Sequence, residues 1–237
     1  MTNYNKIIAG LKKISNKERA EIQQRFFKTG PGEYGEGDVF IGVKMPQQRL
    51  ITKKFINTPV SDLERLLDSK VHEHRMIALL IGVLQFEKGN EKQQKQIYTF
   101  FIKNSKKINN WDLVDVTVPR VIGKYLLNNK SEKEILYKFS KSKNLWQKRI
   151  AIISTFAFIR NLDFQDTLKI SKILLNDKHD LIHKAVGWML REIGNRNRDV
   201  EEKFLKIHYK TMPRTTLRYA IEKFPEKLRK NYLHGKI

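Results

Sequence analysis

Trp111 and Asp115 are four residues apart, so on a helix they share one face. Trp188 follows Lys184 by four residues, and Trp146 precedes Arg149 by three. An indole offers a flat π surface to a base, a sugar or a cation. A carboxylate set between tryptophans suits the stabilisation of positive charge. Charge of that kind develops on deoxyribose when an N-glycosidic bond breaks. Trp111 and Trp188 therefore read as site residues. Trp146 opens a strongly apolar stretch and reads as core. Asp112 reads as an N-cap or first-turn acid.

Asp115 stands out against the rest of the chain. Of 237 residues, 47 are Lys or Arg and only 25 are Asp or Glu, for a net charge of +22. Such an excess repels itself in the folded state and is best understood if a polyanion neutralises it. Nucleic acid is the expected partner. A lysine-rich compositional bias and an acidic membrane surface are the alternatives. The chain has no cysteine, which excludes a disulfide framework, a thiolate nucleophile and a cysteine-based zinc site. No apolar run resembles a signal peptide or reaches the roughly 18 residues of a membrane span. A cytoplasmic monomer with no metal and no cofactor is expected.

The elements that must position these residues read as helices. Apolar residues recur with a 3.6-residue period, and alternating strand patterns are almost absent. Helices are expected at 4–13, 16–28, 46–57, 60–68, 71–87, 91–104, 111–117, 119–128, 131–141, 145–161, 164–176, 180–195, 199–210, 214–223 and 225–233. Short connections imply antiparallel neighbours. Four segments look like copies of one another, each placing a basic residue before an apolar stretch: Arg75, Arg149, Lys184 and Arg218. The last three are 35 and 34 residues apart, and Arg75 to Arg149 is two periods of 37. A period in the mid-thirties filled by two helices marks a helical solenoid, whose stacked repeats present a concave face. One basic residue per repeat would line that face for DNA. The bland alternative is that these residues are simply solvated. Stepping back 34 residues from Arg149 lands on Asp115, so one basic slot holds an acid. An acid facing phosphates opposes binding and needs another reason to be there. The whole chain, 1–237, reads as a single all-α domain.

Five of the twelve glycines lie in residues 29–46, TGPGEYGEGDVFIGVKMP. The segment lacks the GKS or GKT ending of a phosphate loop, and Glu33, Glu36 and Asp38 would repel phosphate. It reads as a structural connector, with residues 39–41 packing it on the first helices. His72-Glu73-His74 lacks zinc-site spacing and reads as solvated surface. The remaining histidines do not cluster.

The segments WDLVDVTVP (111–119), NLWQKRIAI (144–152) and KAVGWMLRE (184–192) resemble the three core motifs of AlkD-type DNA alkylation repair glycosylases. FFKTGPGEYGEGDVFIGVKMP (26–46) is similar to the lead-in of many DNA alkylation repair proteins. The resemblance spans nearly the whole chain. It implies an α-α superhelix of HEAT-like repeats with a concave basic face. It also implies excision of cationic N3- and N7-alkylated purines from double-stranded DNA, with the damaged base left stacked. By the same resemblance, Trp111 and Trp188 contact the lesion deoxyribose, Asp115 is the catalytic carboxylate and Arg149 holds the DNA backbone. No lysine nucleophile is required, so a monofunctional glycosylase without lyase chemistry is expected. Two other functions compete with this one. A non-catalytic module for damaged or branched DNA would explain the charge without using Asp115. A scaffold for a protein partner would line its face with apolar side chains.

Overall fold

A computed structural model describes residues 2–237, in order α1 Asn3–Lys13, α2 Lys17–Phe26, α3 Met45–Lys54, α4 Val60–Leu67, α5 His72–Lys88, α6 Glu91–Lys103, α7 Trp111–Val118, α8 Lys124–Asn128, α9 Glu134–Ser140, α10 Leu145–Ser154, α11 Phe156–Arg160, α12 Gln165–Leu174, α13 Asp180–Gly194, α14 Arg198–His208, α15 Arg214–Ala220 and α16 Glu226–Leu233. The chain is all-α, as expected. Among the described residues there is no strand, only one isolated parallel bridge between Val39 and Val71. Among the described residues no helix is long and apolar enough to cross a membrane.

Asparagine starts many of these helices. Asn16, Asn90, Asn110, Asn144 and Asn197 each accept a hydrogen bond from a backbone N–H of the first turn. Those amides have no partner inside the helix, and a short side-chain oxygen satisfies one of them. Expected and observed boundaries agree closely, though 131–141 opens and 214–223 closes as a 3-10 turn, and two further stretches differ more. Residues 145–161 form two helices, because the chain breaks at Thr155, whose hydroxyl donates to the Ile152 carbonyl. The expected helix at 119–128 begins as a π turn, Pro119–Gly123, before α8.

The chain divides into two compact units, one up to Val121 and one from Ile122. In the first, α5 is the central element. It is packed by α3, α4, α6 and α7, while α1 packs on α3 and α4. In the second, α10, α13 and α15 pack side by side, and α9, α12 and α14 support them from behind. This is the repeat read from the sequence: Arg149, Lys184 and Arg218 stand on α10, α13 and α15. At Gly187 a Cβ atom would come within 2.6 Å of both the Thr216 carbonyl oxygen and the Tyr219 Cβ, so only glycine lets α13 approach α15 so closely. Lys133 joins α9 to α12 by ion pairs to Asp163 at 3.1 Å and Asp166 at 2.6 Å. Tyr137 donates to the same Asp166.

The Gly-rich segment is a connector, and a rigid one. Its free amides are occupied by its own acids: Gly30 N–H donates to Glu33 at 2.8 Å and Gly32 N–H to Glu36 at 3.0 Å. Phe40 is buried as expected, but the Val39 side chain is exposed. At Gly42 the backbone has φ +77°, and a Cβ atom would lie 2.1 Å from the Asn16 carbonyl oxygen. The anchor is Glu73 on α5. Its carboxylate, wholly buried, accepts from the amides of Ile41, Gly42 and Val43 at 2.8–3.2 Å. That overturns the reading of His72-Glu73-His74 as solvated surface, since all three residues are buried. Helix α5 is apolar nearly all round and buried on every side, so its first turn is as interior as its middle.

Two consequences for stability can be measured. Glu73→Ala leaves three buried amides without an acceptor, at roughly 1–3 kcal/mol each. Denaturant unfolding is expected to show a loss of at least about 3 kcal/mol. A loss within about 0.5 kcal/mol, typical of a surface substitution, would refute the anchoring role. Glu201 on α14 is buried, and burial pushes its carboxyl up to about 8, with Arg198 opposing and Glu202 adding to the rise. In the unfolded chain the same group ionises near 4.5. The folded form therefore holds the extra proton between those values, and stability falls as pH rises through that window. Glu201→Gln is expected to raise Tm by a few degrees at pH 8, with little gain at pH 4.5. Scanning calorimetry at several pH values reads the difference, and a pH-independent offset would count against it.

Candidate functional site

The head of α7 is built from three segments of the first unit. Asn110 is wholly buried and its side-chain oxygen accepts from the Trp111 amide at 2.8 Å. Trp111 opens the helix and Asp115 follows one turn later, both half-buried. The indole of Trp111 stacks on Phe27 at 5.3 Å with an interplanar angle of 18°. Phe26, 63 % exposed, meets it edge-on at 6.1 Å. The indole N–H donates to the Tyr34 hydroxyl at 3.2 Å. The orientation of Trp111 is thus set by the lead-in segment, from residues the sequence did not single out.

Beneath Trp111 lies a buried ionic cluster. Asp112 is the first-turn acid expected from the sequence, and it has a second task. Its Oδ2 lies 2.9 Å from Nε2 of His72. The other ring nitrogen of His72 faces Asp38 Oδ2 at 3.5 Å, too long for a formed hydrogen bond but an electrostatic contact. Asp38 Oδ1 lies 2.7 Å from Nη2 of Arg75, and Asn110 donates to Asp38 Oδ2 at 3.2 Å. Phe40 stacks on the imidazole at 4.5 Å.

The electrostatics follow from these partners. Burial works against a charged His72, but Asp112 with its hydrogen bond, aided by Asp38, outweighs both burial and Arg75 and lifts the imidazole above its ordinary value. Burial also opposes ionisation of Asp38, yet His72, Arg75 and Asn110 hold its carboxyl below the usual range. His74, two residues along the same turn, goes the other way. Burial and Arg75 push it down to about 4, so it is neutral at physiological pH. Its ring pairs with the Ser69 hydroxyl instead.

The basic register departs from the expectation of a solvent-facing stripe at two positions. Arg75 is 4 % exposed. It is held by Asp38, and its Nη1 donates to the carbonyls of Ser69 and Lys70. Arg149 is 5 % exposed and donates to the Leu181 carbonyl at the start of α13. A guanidinium carries five donors in a rigid fork, so it can reach several backbone carbonyls at once, as Arg75 does with Ser69 and Lys70. These two arginines serve as internal ties. Lys184 is partly exposed and pairs with Asp180 at 2.6 Å, and Arg218 is exposed. In the second unit Trp188 is half-buried. Its indole donates to Glu192 at 3.2 Å and packs against Phe156, whose ring carries Arg160 at 4.7 Å. Trp146 is core, as read from the sequence. Among the described residues no group of three or more histidine or acidic side chains could hold a metal ion.

The family model of the DNA alkylation repair enzymes matches residues 7–224, which crosses both units. A solved structure of a predicted DNA alkylation repair enzyme from Enterococcus faecalis superposes with a TM-score of 0.70 at 17 % identity, covering 90 % of this chain and 97 % of that one. No protein of curated function matches the sequence. With helical repeats in place and a family model that covers most of the chain, the protein belongs to the DNA alkylation repair enzyme family.

Proposed function

We propose that this protein is a monofunctional DNA glycosylase that hydrolyses the N-glycosidic bond of cationic N3- and N7-alkylated purines in double-stranded DNA. Family membership carries the coarser statement, a role in DNA alkylation repair. The observation that supports the chemistry is the head of α7. It presents a half-buried carboxylate, Asp115, one turn from a tryptophan whose ring is held on three sides.

An alkylated purine is already positively charged, so it leaves readily. The enzyme has to stabilise the cation that forms on the sugar and supply a water. Asp115 contributes negative charge where that cation develops and orients or deprotonates the water. Trp111 would add cation–π stabilisation, and the family resemblance gives Trp188 the same role. No lysine attacks the sugar, so no covalent intermediate forms. Of the register residues, Lys184 and Arg218 are the more exposed, and these would meet phosphates. Arg149 would reach a phosphate only by exchanging the Leu181 carbonyl for it.

Incubation with duplexes containing 7-methylguanine or 3-methyladenine is expected to release free base. Asp115→Asn should slow release about 100-fold or more. No release by the wild type, or equal release by the variant, refutes the proposal. Binding is expected to be strongly salt-sensitive, falling at least about tenfold between about 50 and 200 mM salt. Asp115→Asn should bind as well as the wild type or better, since it removes an acid near phosphates. Salt-sensitive binding without base release would leave a non-catalytic DNA-binding module as the reading.

A further inference from the structure

The proposed chemistry makes no use of His72, a buried side chain inside a cluster of ionic partners. Its imidazole is 2 % exposed and lies between two carboxylates from distant parts of the chain, Asp38 of the lead-in and Asp112 of α7. The aromatic contacts run in the same direction: Phe40 stacks on His72 and on Phe27, and Phe27 stacks on Trp111. One side chain on α5 thus touches both of the segments that hold Trp111.

Helix α7 is the head of a helical run that continues through the π turn Pro119–Gly123 into α8, and Asp112 lies in its first turn, ahead of the buried Leu113, Val114, Thr117 and Val118. Asp112 is adjacent to Trp111 and three residues before Asp115. Holding the Asp112 carboxylate therefore fixes the direction in which both site residues project. We propose that His72 is a positioning residue, a clamp between Asp38 and Asp112 that sets the orientation of Trp111 and Asp115. The proposal rests on the glycosylase reading only for its effect on catalysis.

The clamp depends on charge. The charged groups that face His72 are Asp38 from the lead-in, Arg75 from its own helix and Asp112 from α7. With the imidazolium present, two negative and two positive charges balance. Loss of its proton leaves a net negative charge in the interior, and one ring nitrogen then offers a lone pair to a carboxylate. The raised folded value means that the clamp is closed at low pH and weakens as pH rises through that value.

The test has two readouts. The first is the indole N–H resonance of Trp111 in proton–nitrogen spectra, assigned by its loss in Trp111→Phe, which needs no DNA and no activity. It is expected to titrate between about pH 5 and pH 9 with a midpoint above the ordinary histidine value near 6.5, and to stop titrating in His72→Gln. The second is base release against pH. The wild type should lose activity on the alkaline side with the same midpoint. His72→Gln should lose that limb and be slower by about tenfold or more, within the ~100-fold that a small misplacement can cost, with DNA affinity within about twofold of wild type. If His72→Gln does not fold, the wild-type carbon–proton titration of the His72 ring supplies the comparison. Its midpoint should coincide with that of the Trp111 indole. An indole that titrates in a protein releasing no base supports the clamp and overturns the glycosylase reading. An indole that does not move over this range, or one that still titrates in His72→Gln, overturns the clamp.

Discussion

Ionisable groups in a protein interior must be matched there, and the first turn of α5 places four of them inside at once, of which His74 stays neutral. Glu73 is matched by backbone amides, and His72 and Arg75 share the Asp38 carboxylate. An unmatched buried charge costs several kcal/mol, more than one surface contact returns. Every one of these partners except Asp112 comes from the lead-in segment or the turn before α5. The lead-in therefore cannot be a loose loop. It is pulled down onto α5, and in being pulled down it delivers Phe27, Tyr34 and Phe40 to the places where Trp111 and His72 need them.

The second unit uses the same material for a different end. Its helices repeat, and each repeat must be tied to the next. Arg149 reaches from α10 to the carbonyl at the head of α13, and Lys148 pairs with Asp177 just before that helix. Lys133 binds two acids of the next repeat. Several basic side chains are thus used inside the fold. These ties leave the net charge of +22 unchanged, because an ion pair removes one charge of each sign and a carbonyl carries none. That excess is left for a polyanion, which fits a family that works on DNA.

Under the proposed function Asp115 would carry a physical cost, since it would repel the phosphates that basic residues attract. A carboxylate at such a position is useful when the species it faces is a cation. A tryptophan one turn away, stacked on Phe27 and hydrogen-bonded to Tyr34, would be useful for the same species. Rigid support of both groups matters because stabilisation of a short-lived charge depends on donors and dipoles that are already in place.

The sequence alone determined a good deal. Helical periodicity and the mid-thirties spacing set the all-α repeat, because each of these signals acts over a few residues or one repeat. The pair Trp111 and Asp115 was legible for the same reason: four residues on one helix share a face. Trp146 was legible as core from the apolar run that follows it. The tertiary structure decided the rest. Arg75 and Arg149 occupy the slots read for DNA contact, yet both point into carbonyls or a carboxylate, and only the packing of neighbouring segments places those acceptors there. His72 and Glu73 look like a polar helix start, and the one local hint against it is that the helix they begin is apolar on all sides. Asp38, His72 and Asp112 are separated by 34 and 40 residues. No periodicity connects them, because a buried charge finds its partner by distance in space and not by distance along the chain.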